Sequence, residues 1–124
     1  MKKEGLLLGG VEGRFADLIW EKEPVSSSEL VHLAAEEFHW KRTTTHNVIR
    51  RLCDKGLFQR DENGIVSALV SKSDYQAKQS ERFVDLVYKG SLPMFVSGFV
   101  KARKLTGEDI REIVELLKQE EEKQ

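Results

Sequence analysis

The apolar pattern of the chain changes at Gly56 from a helical period to an extended one. Before this glycine, apolar residues recur every three or four positions in three separate stretches, as they do in amphipathic helices. After it come two short strand candidates, residues 57–60 and 65–70, joined by the tetrapeptide D-E-N-G. An Asn-Gly pair between extended runs is typical of a tight β-hairpin turn. Three helices followed by a hairpin predict a winged helix-turn-helix.

Local signals mark where these helices begin and end. The first helix is predicted to start after Gly9-Gly10. In the second, Ser26 stands three residues before Glu29, which is the spacing of a capping box. The third is predicted over residues 42–55, with Gly56 in the left-handed conformation that commonly ends a helix. Helices two and three would then form the helix-turn-helix, and the hairpin would form the wing.

Beyond residue 72 the chain returns to helical periodicity in three short pieces. Gly90 and Ser91 separate the first two pieces, and Thr106 stands where a residue would cap the third. Because three short helices this rich in apolar residues cannot easily cover one another, we expect them to pack against a second copy of the chain. The predicted dimerisation residues are Phe83, Leu86, Val87, Leu92, Phe95, Phe99, Ile110, Ile113, Val114 and Leu117.

These patterns predict a mostly α protein with a small β-hairpin. A chain of 124 residues is long enough for one compact domain that carries an additional interaction segment. We expect residues 1–72 to form a winged helix-turn-helix DNA-binding domain and residues 73–124 to form a helical dimerisation region.

Charge is unevenly distributed along a chain whose formal net charge is only −1. Residues 39–60 contain six lysines and arginines against one acid, whereas residues 106–124 contain seven acids against three basic residues. A basic segment in a nearly neutral chain suggests contact with a polyanion, which the acidic C-terminal segment would repel. We therefore expect the DNA-binding surface to include the third helix.

A helix over residues 42–55 would place different kinds of side chain on its two faces. Thr45, Val48, Ile49 and Leu52 would form an inward stripe at intervals of three and four residues. The opposite face is polar and cationic, and its first turns are the part of a recognition helix that meets base edges in the major groove. Threonine can contact a base edge or a thymine methyl group, and asparagine can pair with adenine through two hydrogen bonds.

The outward face therefore contains two predicted sets of DNA contacts. The residues expected to read base edges are Thr43, Thr44, His46 and Asn47. The residues expected to bind phosphates, which fix the register without reading the sequence, are Lys41, Arg42, Arg50, Arg51 and Lys55. Sequence preference is expected to depend on the first set.

Several short motifs also follow one another along nearly the whole chain. Trp20 precedes S-S-S-E-L, then W-x-x-x-T begins at Trp40 and R-L-x-x-K-G begins at Arg51. Glu12, Gly64, the G-S-L segment at residues 90–92 and the L-T-G-E segment at residues 105–108 complete the series. In order and spacing, these motifs resemble the penicillinase repressor (BlaI/MecI/CopY) family of winged-helix transcriptional regulators.

The resemblance implies a repressor that sits on palindromic operators as a homodimer and blocks transcription. It also implies C-terminal helices that exchange contacts across the two-fold axis. By position, Thr43, Thr44, His46 and Asn47 correspond to the residues with which the family reads the groove. Arg51 corresponds to the arginine of the family's third helix.

The chain departs from the family pattern at three places. The wing has Ile65, Ser67 and Leu69 where the family usually has a basic residue, an aromatic residue and a tyrosine. In β-lactam-responsive members, cleavage of an Asn-Phe bond inactivates the repressor. The aligned pair is Gly98 and Phe99, which makes this pair the candidate for regulatory cleavage. The C-terminal cysteine pairs of the copper-responsive members have no counterpart here.

Other classes of function have little support in the sequence. The single cysteine, Cys53, and three scattered histidines lack the spacing of metal ligands, so we expect neither a metal nor a cofactor. We do not expect an enzyme, because the sequence has no nucleophile elbow and no glycine-rich loop after a strand. The apolar run at residues 6–8 is too short for a signal peptide, and no run approaches a membrane span. We therefore expect a cytoplasmic protein without a membrane partner.

The expected partners are operator DNA and a second copy of the chain. Two alternative functions stay open. The chain could be a winged-helix protein-interaction module without specific DNA binding, which its near-neutral charge and poorly basic wing slightly favour. Alternatively, a DNA-binding regulator could respond to a small-molecule effector among the C-terminal helices, or to a regulatory protease. The sequence does not distinguish these triggers.

Overall fold

In the computed structural model, which describes residues 8–124, the chain forms six helices and three short strands within that range. The helices are α1 (Gly10–Lys22), α2 (Ser27–Phe38), α3 (Arg42–Asp54), α4 (Lys72–Tyr88), α5 (Leu92–Ala102) and α6 (Gly107–Glu122). The strands are β1 (Val25–Ser26), β2 (Phe58–Arg60) and β3 (Ile65–Ala68), which form an antiparallel sheet in the order β1-β3-β2. The predicted mostly α fold with a small hairpin is confirmed.

Polar side chains cap α2 and α6 at the two positions that the sequence indicated. The Ser26 hydroxyl accepts a hydrogen bond from the Glu29 backbone N–H at 3.0 Å, at the start of α2. The Thr106 hydroxyl accepts one from the Asp109 N–H at 3.0 Å, at the start of α6. Ser91 caps α5 in the same way. Each cap satisfies an N–H that the helix cannot, which typically contributes about 1 kcal/mol.

Gly56 ends α3 and turns the chain into the wing. Its φ is +82°, a left-handed conformation that glycine adopts without steric cost. The Gly56 N–H donates to the Cys53 carbonyl at 2.9 Å, and the Leu57 N–H donates to the Leu52 carbonyl at 3.2 Å. This pair of bonds is a Schellman cap, so the sequence signal at Gly56 is confirmed.

The hairpin turn is held by one aspartate. The Asp61 carboxylate accepts hydrogen bonds from the backbone N–H groups of Asn63 and Ile65, each at 2.9 Å. Gly64 takes a φ of +79°, as expected for the glycine of an Asn-Gly turn. These contacts set the register in which Phe58 lies opposite Ala68.

Strand β1 is an addition to the predicted fold. Val25 lies opposite Val66, so β1 extends the hairpin into a third strand on the other side of β3. It is only two residues long and ends at the cap of α2. A strand this short has no alternating pattern that the sequence could reveal.

In the part of the chain that the structure describes, all the buried apolar residues lie between Phe15 and Val66. The Phe15 ring packs against Trp40 with centroids 5.1 Å apart, and Trp20 packs against Phe58 at 5.0 Å. The Trp20 indole N–H also donates to the Val70 carbonyl at 2.9 Å. The buried apolar residues are Phe15, Ala16, Ile19, Val25, Leu30, Ala34, Val48, Ile49, Leu52, Leu57, Phe58 and Val66. Helices α1 to α3 and the sheet therefore share one core.

The chain divides into two compact units, one through Phe83 and the other Val84–Gln124. Helix α4 contributes to both units, whereas the predicted boundary after residue 72 lies near its start. The second unit has no buried residue. Within it, the Tyr88 ring packs edge-on against Phe95 with centroids 5.6 Å apart.

Candidate nucleic-acid interface

Helix α3 is fixed to the core by the stripe that its sequence predicts. Val48, Ile49 and Leu52 are buried, as is Thr45 between them. The Thr45 hydroxyl donates to the Lys41 carbonyl at 3.3 Å, which satisfies this polar group inside the core. The third of the three consecutive threonines is therefore structural, and the orientation of α3 follows from its packing.

The residues predicted to read bases lie on the other side of the helix. Thr43, Thr44 and Asn47 are exposed, and His46 is partly exposed. Thr43 and Asn47 are four residues apart, so their side chains share one face in the first two turns. Thr44 lies on a flank of that face, one residue further around the helix.

Three of the predicted phosphate-binding residues are exposed cations. Lys41 precedes α3, and Arg42 and Arg50 lie on its outward side. Within residues 8–124, none of the three makes a salt bridge. Their positive charge is therefore available to an anionic partner.

The other two predicted phosphate-binding residues pair with Glu12 on α1. Arg51 Nη2 and Nε donate to Glu12 Oε1 at 2.9 and 3.3 Å, and Lys55 Nζ donates to Glu12 Oε2 at 3.2 Å. Burial alone would raise the pKa of the Glu12 carboxyl, but the hydrogen bonds and charges of Arg51 and Lys55 outweigh it and lower that pKa. This flank of α3 is thus tied to α1 by an ion-pair network.

A residue outside the predicted DNA-binding set, Arg60, lies on the opposite flank of α3. Arg60, at the end of β2, lies with Nη1 3.1 Å from His46 Nδ1. Burial, reinforced by the positive charges of Arg42, Arg60 and Arg50, lowers the pKa of His46 below its ordinary value. Arg60 is two residues after buried Phe58 in β2, so the two side chains lie on the same face of the strand, which packs against α3. This two-residue spacing is the sequence pattern from which Arg60 could have been predicted.

The wing itself offers few groups that would bind phosphate. Residues 61–70 contain two acids and no lysine or arginine. Ser67 accepts a hydrogen bond from the Gln59 side-chain amide at 3.3 Å, and Leu69 is exposed. The departure noted at Ile65, Ser67 and Leu69 therefore leaves the wing poor in cations.

The predicted dimerisation residues lie on helices that bury nothing in the single chain. All ten are exposed except Phe95, which is partly buried. Most belong to the second unit, where α5 and α6 present them along their lengths. Such an extent of exposed apolar side chains is typical of an interaction surface.

The pair Gly98 and Phe99, the candidate for regulatory cleavage, lies inside α5. A Cβ at Gly98 would stand 2.7 Å from the Tyr88 hydroxyl and 3.3 Å from the ring, so any larger residue at this position would require the Tyr88 side chain to move. Phe99 packs against Phe95 with centroids 6.1 Å apart, and the Arg103 guanidinium lies 5.9 Å from its centroid. An asparagine at position 98 would displace Tyr88.

Within residues 8–124 there is no group of three or more histidine, cysteine or acidic side chains placed to hold a metal.

An open cavity of about 900 Å³ lies in the first unit, lined by Lys55, Leu57, Val70, Tyr75, Lys78 and Arg82 among others. No single helix in the described range is long and apolar enough to cross a membrane, although α4 and α5 reach that length and composition when taken together.

Known proteins match the chain across both units. The family model of the penicillinase repressor matches residues 8–119. The methicillin resistance regulatory protein MecI of Staphylococcus aureus is 28% identical over 113 residues, which cover 89% of this chain and 92% of that protein. The penicillinase repressors of Bacillus licheniformis and Staphylococcus aureus are each 25% identical, over 105 and 104 residues, and these matches cover 82% of every chain involved. The region matched by the family model includes α3, the β2–β3 hairpin and most of α6.

Proposed function

The chain belongs to the penicillinase repressor family, and from that membership we propose that it is a transcriptional repressor that binds operator DNA as a homodimer. Its relatives carry names that describe a repressor and a regulatory protein. In this proposal, α3 of each protomer enters the major groove of one half of a palindromic operator, and the bound dimer blocks transcription.

The observation that carries the proposal is the division of α3 into a fully packed face and an exposed polar face. Thr45, Val48, Ile49 and Leu52 anchor the helix in the core. The exposed face presents Thr43 and Asn47, with the cations of Arg42 and Arg50 beside them. Because the anchoring residues hold the helix in one orientation, its polar face can dock rigidly into a groove.

Each exposed side chain has a specific role in this proposal. Asn47 would form two hydrogen bonds with an adenine, and Thr43 and Thr44 would contact base edges or thymine methyl groups. His46 would reach a base edge from the flank next to β2. Lys41, Arg42 and Arg50 would bind phosphates and set the register.

Arg51 and Lys55 would contribute differently, because Glu12 already neutralises part of their charge. The carboxylate holds both cations on one flank of α3 at hydrogen-bond distance. A phosphate approaching this flank would meet pre-oriented donors whose net charge is reduced. We therefore propose that Arg51 and Lys55 orient the protein on the DNA phosphate backbone and add little to the free energy of binding.

The second unit supports the homodimer. Ile110, Ile113, Val114 and Leu117 form an exposed apolar face on α6. Pairing with a second copy would remove this face from water, and a two-fold axis would match the palindrome. The two recognition helices would then enter major grooves about 34 Å apart, or a multiple of that distance.

A fluorescence-anisotropy titration of the full chain tests the proposal. The probe is a duplex from the region upstream of the protein's own gene, compared with a scrambled duplex of the same composition. We expect tighter binding to the upstream duplex and a steep loss of affinity with salt, because several phosphates are neutralised per dimer. Equal affinity for both duplexes would contradict sequence-specific repression.

One alternative is favoured by a specific observation. Glu12 pairs with two of the five predicted phosphate-binding residues, and the wing lacks cations between residues 61 and 70. These features favour a protein-interaction module that docks through α3. Heparin chromatography distinguishes the two functions, since a DNA-binding protein elutes late and with salt whereas the module would not be retained.

A further inference from the structure

The contact between β2 and α3 restricts the chemical state of His46. Arg60 Nη1 lies 3.1 Å from His46 Nδ1, and both side chains are only partly exposed. A guanidinium carries hydrogen-bond donors and no acceptor. A hydrogen bond between these atoms therefore requires that Nδ1 is the acceptor and carries no proton. The ring hydrogen of a neutral His46 must then be on Nε2, which lies on the other edge of the ring.

We propose that Arg60 is the positioning residue for His46: its hydrogen bond fixes the Nε2–H tautomer, so that His46 donates a hydrogen bond to an acceptor on a base edge. This inference rests on the proposed function, because it assigns a chemical preference to one contact of the DNA-reading helix. The acceptors exposed in the major groove are guanine O6 and N7, adenine N7 and thymine O4. Cytosine presents an amino donor there, so His46 should disfavour cytosine.

The surroundings of the ring favour the same state. The charged groups that face His46 are Arg42 and Arg50 on its own helix and Arg60 on β2. All three are cations, and a second proton on the ring would place another positive charge among them. A histidine held neutral by its neighbours keeps one donor and one acceptor, with the acceptor occupied by Arg60. Only the donor then remains for DNA.

Two-bond ¹H–¹⁵N correlation spectra of the free, full-length protein test the tautomer without DNA. In the wild type we expect His46 at pH 7 as a neutral ring with unprotonated, hydrogen-bonded Nδ1. Arg60→Met keeps most of the side-chain length and removes the donor, so the Nδ1 signal should shift and the Nδ1–H tautomer should appear. Arg50→Met removes an equal charge from α3 and should leave the tautomer unchanged. Protonated Nδ1 in the wild type, or identical His46 signals in wild type and Arg60→Met, would overturn the proposal.

Base preference tests the consequence for recognition. A duplex that the wild type binds specifically is first selected from a randomised library. The base pair that His46 reads is the one at which His46→Ala no longer discriminates between bases, and the duplex is then varied at that pair. At that pair, Arg60→Met should lower the preference roughly two- to tenfold, the range of one neutral hydrogen bond. Adding Arg60→Met to His46→Ala should lower it no further, and Arg60→Lys, which retains a charged donor, should restore part of it. Arg50→Met, as the matched control, should weaken all duplexes alike.

The outcomes separate this inference from the proposed function. Absence of sequence-specific binding by the wild type would overturn the proposed function, and with it the role of His46 in base reading. Specific binding by the wild type with an unchanged base ranking in Arg60→Met would overturn the positioning role alone. Circular dichroism and the melting temperature establish that each variant is folded.

Discussion

The two units of this molecule handle their apolar residues in opposite ways. The unit through Phe83 buries a set of aromatic and aliphatic side chains around Phe15 and Phe58. The unit Val84–Gln124 buries none, although α5 and α6 carry a comparable number of large apolar residues. The first unit thus has a core of its own, and the second has the composition of a core but not the packing.

This difference indicates where stability and function reside in each unit. In the first, the core fixes α3, so the surface left to solvent is polar and suited to a charged partner. In the second, the proposed interaction surface consists of the exposed apolar residues themselves, and a second copy would complete their packing.

The same substitution placed in both units should have very different costs. Leu52→Ala removes a fully buried side chain of α3 and should lower the free energy of unfolding by about 2–5 kcal/mol. Leu116→Ala changes a side chain that is 64% exposed on α6 and should lower it by less than about 0.5 kcal/mol. Urea denaturation of the full chain at fixed protein concentration measures both. Equal losses would mean that the second unit has a core comparable to the first.

A charge on the apolar face of α6 should separate the protomers. Ile113→Asp would place a carboxylate in the proposed interface, and the variant should sediment as a 14.2 kDa monomer. Affinity for a palindromic duplex should fall about a hundredfold or more, because the two half-sites would no longer be bound together. Gln119→Asp introduces the same group on the polar face of the same helix and should leave both measurements unchanged. If the Ile113→Asp variant remained a dimer, α6 would not be part of the dimer interface.

Two substitutions on α3 should separate sequence reading from phosphate binding within the first unit. Asn47→Ala should lower the preference for one base pair by about 1–3 kcal/mol. Arg50→Ala should weaken all duplexes alike and reduce the slope of log affinity against log salt by about 1. Competition titrations with single-base-pair variants of the selected duplex measure both effects. If Asn47→Ala weakened binding to all duplexes equally, Asn47 would contact the DNA phosphate backbone and not a base edge.

The Glu12 network should contribute a small, pH-dependent stability to the first unit. Glu12 is 17% exposed but its partner Arg51 is 58% exposed, so Glu12→Gln should cost at most about 1 kcal/mol. The pKa of Glu12 is lowered in the folded protein, so its contribution is present above the ordinary value of 4.5 and is lost as the pH falls below it. Urea denaturation of wild type and Glu12→Gln should therefore differ at pH 7 and converge in acid. A difference that grows in acid would contradict the network.

Much of the fold could be predicted because its determinants are local. Ser26 and Thr106 cap the helices that follow them, and Gly56 and Gly64 adopt the positive φ that their turns require. The stripe from Thr45 to Leu52 is likewise a property of one helix. Strand β1 was missed because two residues form a strand only through their pairing with β3.

In the candidate DNA-binding site, too, local features could be predicted from the sequence and long-range contacts could not. The exposure of Thr43 and Asn47 follows from helical periodicity, so their place on the outward face could be read from the sequence. The contacts of Glu12 with Arg51 and of His46 with Arg60 join residues 39 and 14 positions apart. These pairs depend on how α1 and β2 pack against α3, which no local pattern contains.

Selection of duplexes from a randomised library by the full-length protein, followed by sedimentation of the complex, tests whether the chain binds a palindrome as a dimer. We expect an enriched inverted repeat whose half-sites are centred about 34 Å apart, or a multiple of that, with two chains bound per duplex. Enrichment of no motif, or of a single half-site bound by one chain, would contradict this expectation.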